Sequence, residues 1–295
     1  DATSRLFLGL INTIFLGICF YVWNRVSTTP ALLPGMGRFA WLALAFLAAA
    51  NAVMLANHLL VLWIALEATS LAAAPLIVRP GAIASNQASF RSLLFSSVGL
   101  GLALLGFLCL SRGMALDGHV PTFFVDRLPT VVSRTANPFT QLGLSLVLLG
   151  LGTKLGLAPM YSWLPEAYAE APPAVTAMLG AVQFNCTLVV LFRVIQVYRP
   201  ASASLVTAAL VSMGIVSMVV STLSIIATRN MKRLIAYASI NHAGVIAIGL
   251  GVGKSAVYGV LLYAISNAFI KAILFLTAGK IRAHYLTEDT REIGG

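Results

Sequence analysis

Nine apolar stretches, each near the length that crosses a bilayer, decide what this chain can become. The first, at about residues 5–25, holds Leu6 to Trp23 without a single charge. A transmembrane helix needs about 20 such residues. The other eight fall at about 39–56, 59–78, 91–111, 139–158, 174–196, 204–227, 234–252 and 256–279. No period-two alternation rivals these runs, which argues against a β-barrel. Composition points the same way: 59% of the 295 residues are hydrophobic and 9% charged, against about 25% charged in soluble domains. Such a chain cannot be solvated by its own surface. The expected fold is all-α: one membrane domain, residues 1–295, built as a polytopic bundle of about nine transmembrane helices.

The net charge of +10 sits mostly at the ends of the apolar runs, where topology signals lie. No basic helix or aromatic platform suggests nucleic acid. Alternation of nine spans gathers Arg25, Arg38, Arg79, Arg91, Arg229, Lys232, Arg233, Lys280 and Arg282 on one side. Arg5, Arg112, Arg127, Arg134, Arg199 and Lys254 fall on the other. The first set is the more basic, so that side is expected to be cytoplasmic. The connection Arg112 to Pro138 reads as water-exposed, and Met160 to Pro173 as an irregular, partly buried link. Cys19, Cys109 and Cys186 are isolated in apolar runs without metal-ligand spacing and read as small core residues. No phosphate-binding glycine loop follows a strand, so this chain is not itself an ATP-driven pump. Gly99, Gly101 and Gly106 inside one span suggest close helix packing.

Three charged residues stand inside spans: Glu67, Lys154 and Lys271, with His242 near the start of the eighth. A charge at such depth costs about 3 kcal/mol on insertion scales. Lys154 lies five residues before Pro159, and a proline removes a backbone hydrogen bond and breaks a helix. The fifth span is expected to end at Pro159. Glu67 is a natural partner for Lys154, either as a static pair that fixes packing or as a pair that opens and closes. Lys271 has no opposite charge nearby in sequence and needs a partner or water from another helix. His242 reads either as a proton relay or as a satisfied core residue. His58, His119 and His284 read as solvated. Glu166 and Glu170 flank the broken helix; a solvated loop and a proton-access role are both open. Gln183 and Asn185 can organise water without titrating. Buried titratable groups of this kind mark proton or ion pathways.

Several longer motifs carry a resemblance. They are Leu66-Glu67-Ala68-Thr69-Ser70, Gly152-Thr153-Lys154 through Ala158-Pro159, and Trp163-Leu164-Pro165-Glu166-Ala167 with Glu170-Ala171-Pro172. Met231-Lys232-Arg233 through Asn241-His242-Ala243-Gly244 and Asn267-Ala268-Phe269-Ile270-Lys271 follow in order. The chain resembles, over nearly its whole length, the antiporter-like membrane subunits shared by respiratory complex I, group 4 membrane-bound hydrogenases and Mrp-type antiporters. The hydrogenase-4 type is the nearest. The resemblance implies two inverted repeats, with 39–196 as a first five-helix repeat and 204–279 as an incomplete second one. It implies proton transfer by Glu67, Lys154, His242 and Lys271. Arg91, Pro159, Glu166, Tyr168, Asn185 and Lys232 are then supporting positions.

Departures from the family pattern accompany it. Asn185 stands where many members carry a second channel lysine. Tyr161, Tyr168 and Asn267 stand where histidines are common. The chain would begin at the family's third span and stop after its eleventh, without the second broken helix, so it reads as a piece of a longer subunit or a shortened one. The function implied is a proton-translocating subunit of a redox-driven complex in a bacterial or archaeal cytoplasmic membrane. No cofactor or metal is expected in this chain. Hydrophilic partner subunits would carry iron–sulfur clusters and nickel–iron, flavin or quinone chemistry, beside further membrane subunits. The alternatives are a sodium/proton antiporter subunit of Mrp type, a membrane subunit energising inorganic carbon uptake, and a static scaffold.

Overall fold

The structure, a computed structural model, describes residues 1–29, 33, 35–132, 137–253, 256–285, 287 and 289–293. Arg134 and Lys254, assigned above to the second set of loops, lie outside the described residues. The helices are α1 (Ala2–Thr28), α2 (Met36–Leu55), α3 (Leu59–Ile77), α4 (Ile83–Leu116), the short α5 (Leu128–Val131), α6 (Pro138–Leu155), α7 (Trp163–Glu170) and α8 (Pro173–Ala177). A π-helical segment, Met178–Gln183, joins α8 to α9 (Phe184–Ala227). α10 (Met231–Val252), α11 (Ala256–Tyr285) and α12 (Thr290–Ile293) complete the order. There is no β-strand among the described residues, only isolated bridges at His58–Phe124 and Asn230–Asp289.

Seven helices among the described residues are long and apolar enough to cross a membrane. One of these, Pro173–Ala227, runs for 55 residues and contains the sixth and seventh expected spans. It bends at Ser202, whose φ of −140° and ψ of 43° are not helical, two residues after Pro200. α6 is the fifth expected span; Pro138, Gln141 and Lys154 make it less apolar than the others. All nine expected segments are thus helical.

Glycine sets the tightest packing. Gly99 and Gly106 of α4 face Gly150 and Gly143 of α6, and Gly113 of α4 faces Thr140 at the start of α6. A Cβ on Gly106 would lie 2.6 Å from the carbonyl oxygen of Gly143, and one on Gly143 would lie 2.7 Å from that of Gly106. Small residues that let backbones touch are the usual basis of helix association in lipid, where the hydrophobic effect gives no net drive. Gly101 departs from the expectation, since nothing lies within 4 Å of its Cβ position. It points away from α6 because it is two residues out of phase with Gly99. Gly214 of α9 and Gly244 of α10 repeat the device, each Cβ position lying 2.7 Å from the other's carbonyl oxygen.

Two arginines tie helix ends. Arg193 of α9 donates to the carbonyls of Met54 at 3.0 Å and Ala56 at 3.0 Å, and to Ser4 Oγ at 2.5 Å. It lies inside the sixth span yet was not among the buried charges read from sequence. Arg199 donates to the carbonyls of Leu250 and Gly251, both at 2.6 Å. Each cation meets unpaired carbonyls at a helix C-terminus, where the dipole favours positive charge.

Three further expectations change. The link after α6 holds a regular buried helix, α7, whose Trp163 Nε1 donates to the Thr153 carbonyl at 3.0 Å. His58 is only half-solvated: it precedes α3, packs against Phe123 and Phe124, and its Nδ1 is buried. Among the cysteines only Cys186 is buried; Cys19 is exposed and Cys109 intermediate, because an apolar run in lipid need not face the protein core.

Candidate functional site: two buried lysines beside a π-helical segment

α6 starts and stops by local chemistry. Asn137 accepts a hydrogen bond from the Thr140 backbone N–H at 2.9 Å, and Pro138 occupies the first helical position, a common pairing of cap and proline. At the other end Gly156 adopts a left-handed φ of 78°. The N–H of Gly156 then reaches the Thr153 carbonyl at 3.1 Å, and that of Leu157 reaches Gly152 at 2.8 Å. This is a glycine-terminated C-cap. The helix therefore stops at Leu155, not at Pro159 as expected; the proline comes after the break has been made. The link is anchored to α9 by the Ala158 N–H, which donates to Ser217 Oγ at 2.8 Å.

Lys154 occupies the last turn of α6 and is 3% exposed. Its Nζ donates to the Leu66 carbonyl at 2.7 Å, to Ser70 Oγ, and to Ser96 Oγ at 3.3 Å. Ser70 and Ser96 are themselves hydrogen-bonded at 2.7 Å. Hydrogen bonds to a charged group contribute about 1.5–3 kcal/mol each, and a cation near a helix C-terminus gains up to about 2 kcal/mol. Together these exceed the roughly 3 kcal/mol of placing a lysine at mid-bilayer. Its direct contacts are all neutral acceptors.

No direct salt bridge joins Glu67 and Lys154 in this structure, although the carboxylate is near enough to act on the ammonium through space. Glu67 is partly exposed, and its Oε1 accepts from Ser97 Oγ at 2.5 Å. Its other oxygen, Oε2, is buried without a partner among the described residues. Leu66 and Glu67 are neighbours in sequence but 100° apart around α3, so their acceptors face different directions. The ammonium sits on the Leu66 side.

The π-helical segment stands beside this cage. Gln183, its last residue, donates from Nε2 to Ser70 Oγ at 3.4 Å. The next residue, Phe184, presents its ring to Lys271 Nζ, 4.1 Å from the centroid. Such segments inside helices are often found at functional sites. Here one turn of backbone touches the surroundings of both lysines. Sequence reading missed it, because a π turn depends on packing and has no composition signature. Gly180 permits the fit, since its Cβ position lies 3.0 Å from Phe275 and 3.5 Å from Tyr168.

Lys271 is 2% exposed, and its Nζ has no hydrogen-bond partner among the described residues. A desolvated cation–π contact is worth about 2 kcal/mol, below the several kcal/mol needed to bury an ion. The two lysines are therefore unequal: one has a fixed cage of acceptors, the other only a ring face. On α11, Tyr263, Asn267, Lys271 and Phe275 recur every four residues and share one face. Tyr263 Oη is hydrogen-bonded to His242 Nδ1. Asn267 Oδ1 is buried and unpartnered among the described residues, and Phe275 packs edge-on against Tyr168 with ring centroids 5.4 Å apart. Tyr263 was not singled out from sequence; its spacing to Asn267 and Lys271 was the available signal.

The supporting positions divide. Asn185 is buried and donates to the Ala181 carbonyl at 2.6 Å, with Oδ1 left unpartnered. Lys232 is 1% exposed and donates to the carbonyls of Ala169 at 3.2 Å and Ala171 at 2.9 Å, so it is a buried cation, not an interfacial one. Arg91 binds Glu166 through both carboxylate oxygens, at 2.7 and 2.8 Å, and Arg79 binds Glu170. Arg91, Glu166 and Glu170, with Arg233, border a small polar cavity of about 150 Å³. The Arg91 and Glu166 side chains are 55% and 38% exposed. At that exposure Arg91→Ala is expected to change stability by less than about 1 kcal/mol, as read from thermal unfolding in detergent.

A buried lysine at a broken membrane helix, a second lysine across a π turn, and a helical bundle with no strand among the described residues fit the class of antiporter-like membrane subunits. The chain belongs to the family described as NADH:quinone oxidoreductase/Mrp antiporter, TM, whose model matches residues 56–295. Among curated relatives, it is 25% identical over 295 residues to a "Hydrogenase-4 component F homolog" of Methylacidiphilum infernorum, covering 98% of this chain and 61% of that one. It is 32% identical over 215 residues to "NADH-quinone oxidoreductase subunit N" of Laribacter hongkongensis, covering 72% of this chain and 43% of that one. Among solved structures, a chain of the membrane-bound sulfane sulfur reductase, an archaeal respiratory membrane complex, superposes with a TM-score of 0.85 at 23% identity, over 97% of this chain and 58% of its own. A chain of respiratory complex I from Thermus thermophilus gives 0.72 at 25% identity, over 93% and 57%. The chain thus spans less than two thirds of the length of each. It is an integral, multi-pass membrane protein.

Proposed function

We propose that this chain is the proton-translocating part of a membrane subunit in a redox-driven complex of complex I or group 4 hydrogenase type, in a bacterial or archaeal cytoplasmic membrane. The observation that carries the reading is the pair of fully buried lysines on either side of the π-helical segment. Lys154 is held by neutral acceptors one residue from Glu67, so its ammonium has two alternative resting places: the Leu66–Ser70–Ser96 cage and the Glu67 carboxylate. A charge change near Glu67 shifts Lys154 between them. Gln183 couples the cage to the π turn, and water meeting Asn267 and Lys271 carries the proton on to Tyr263 and His242. Arg91 with Glu166 stands at the basic end as an access point. Tyr168, Asn185 and Lys232 shape the surrounding wall, and Gly156 with Pro159 keeps the helix open beside Lys154. The division into a first repeat, 39–196, and an incomplete second, 204–279, belongs to the same proposal. So do partner subunits, membrane and hydrophilic, with the redox centres in the latter.

Relatives named for hydrogenase-4, NADH–quinone and F(420)H(2) complexes favour the redox-driven reading over a free-standing sodium/proton exchanger. Proton uptake by sealed vesicles containing the intact complex tests it. Adding the electron donor is expected to drive proton movement without sodium, and Lys271→Met to reduce that movement by at least about 10² while protein abundance holds, since an apolar replacement of a buried ion is often neutral or stabilising. Sodium-dependent proton flux with no donor would establish the exchanger instead.

A further inference from the structure

At the basic end of the bundle, α1, α2, α8 and α11 enclose a cavity of about 540 Å³. Tyr21, Arg25, Phe39, Arg79, Pro173 and Arg282 are among its walls. A second cavity of about 350 Å³ shares Tyr21 and Arg25 and adds Lys280 and His284. We infer that this groove is a headgroup site for an anionic phospholipid.

Three independent features support that ligand. The first is charge. Arg79 is matched by Glu170, but the partner of Arg25 is neutral: its Nη1 donates to Tyr21 Oη at 3.1 Å. Arg25 forms no ion pair among the described residues. A half-buried guanidinium with unused donors is suited to a phosphate, which it can grip through two parallel hydrogen bonds. The second is the wall chemistry. Phe39, Met36, Val22 and Pro173 line the same space, and a free inorganic anion would leave them unused, whereas the first acyl carbons of a lipid would cover them. The third is depth. Trp23, two residues from Arg25, is 75% exposed on α1, and exposed tryptophan in a membrane helix marks the headgroup level. Basic pockets between membrane helices at that level are suited to anionic headgroups. Gly279 forms part of the floor; a Cβ there would lie 2.3 Å from Pro173 and 3.0 Å from Tyr21 Oη, so any side chain would displace the wall.

Native mass spectrometry of the full chain, purified with its accompanying subunits and stripped of lipid, tests the site. Phosphatidylglycerol is titrated against phosphatidylcholine of the same chain length. Selective retention of phosphatidylglycerol is expected, and Arg25→Gln should weaken it about 5-fold, while Arg112→Gln, at the opposite end of α4, leaves it unchanged. Equal retention of both lipids would overturn the inference, as would an Arg25→Gln effect no larger than that of Arg112→Gln. Inorganic phosphate displacing phosphatidylglycerol at equal concentration would mean a free-anion site and would also overturn it. The comparison of the two lipids on the unaltered protein decides the matter even if a variant fails to fold.

Discussion

Lys154→Met is expected to abolish proton translocation by the intact complex while leaving the subunit folded. Methionine keeps most of the aliphatic stem and removes the ion, and replacing a buried ion by an apolar group is often neutral or stabilising. What remains is the Ser70–Ser96 pair, still satisfied by its own hydrogen bond at 2.7 Å. Loss of a positioned proton-transfer group costs about 10²–10⁴ in rate, enough to bring flux to background. Lys154→Arg separates a proton carrier from a static cation. Arginine stays protonated in proteins, so a carrier role predicts failure of this variant too, whereas a structural cation predicts retained transport. Proton uptake and donor oxidation, measured together in sealed vesicles, give the answer; full coupled transport in the methionine variant would remove Lys154 from the mechanism.

Gly150→Ala is expected to be the most damaging conservative substitution in the bundle. Its Cβ would sit 2.7 Å from the backbone nitrogen of Ala103 and closer still to the Gly99 carbonyl oxygen. Both are backbone atoms of α4 that cannot swing aside, so α4 and α6 must separate. Overpacking of this kind costs about 1–3 kcal/mol, and more where backbone must move. Gly150 also lies one turn before Lys154, so the same displacement carries the ammonium away from Ser70 on α3 and Ser96 on α4. Stability and transport should fall together. Gly101→Ala is the matched control: nothing lies within 4 Å of that Cβ position, and its thermal midpoint is expected to hold or rise, since alanine favours a helix interior over glycine by about 0.5–1 kcal/mol.

Much of the bundle was legible in order along the chain. Runs of apolar residues place spanning helices because unsatisfied backbone groups are too costly in lipid for any other local structure. The glycine packing was half legible: Gly99 and Gly106 share a helical face, but which face meets α6 is not a local property. Lys154 and Lys271 were legible because an ion amid apolar residues stands out against its neighbours. Arg193 did not stand out, since it lies near a span end where arginines commonly reach the interface; only the fold shows it holding the carbonyls of Met54 and Ala56.

The sequence by itself determined that this chain crosses a membrane repeatedly as helices, and that a few charges would be buried within it. Hydropathy and helical period are local quantities that tertiary contacts only refine. What the buried charges touch was decided by the tertiary structure alone. Lys154 rests on a carbonyl and two hydroxyls of α3 and α4 instead of on Glu67, and the π turn at Met178–Gln183 stands between the two lysines. Acceptor geometry depends on helix rotation and on a break made by Gly156, and a shift of one residue turns a helix through 100°, enough to exchange one partner for another.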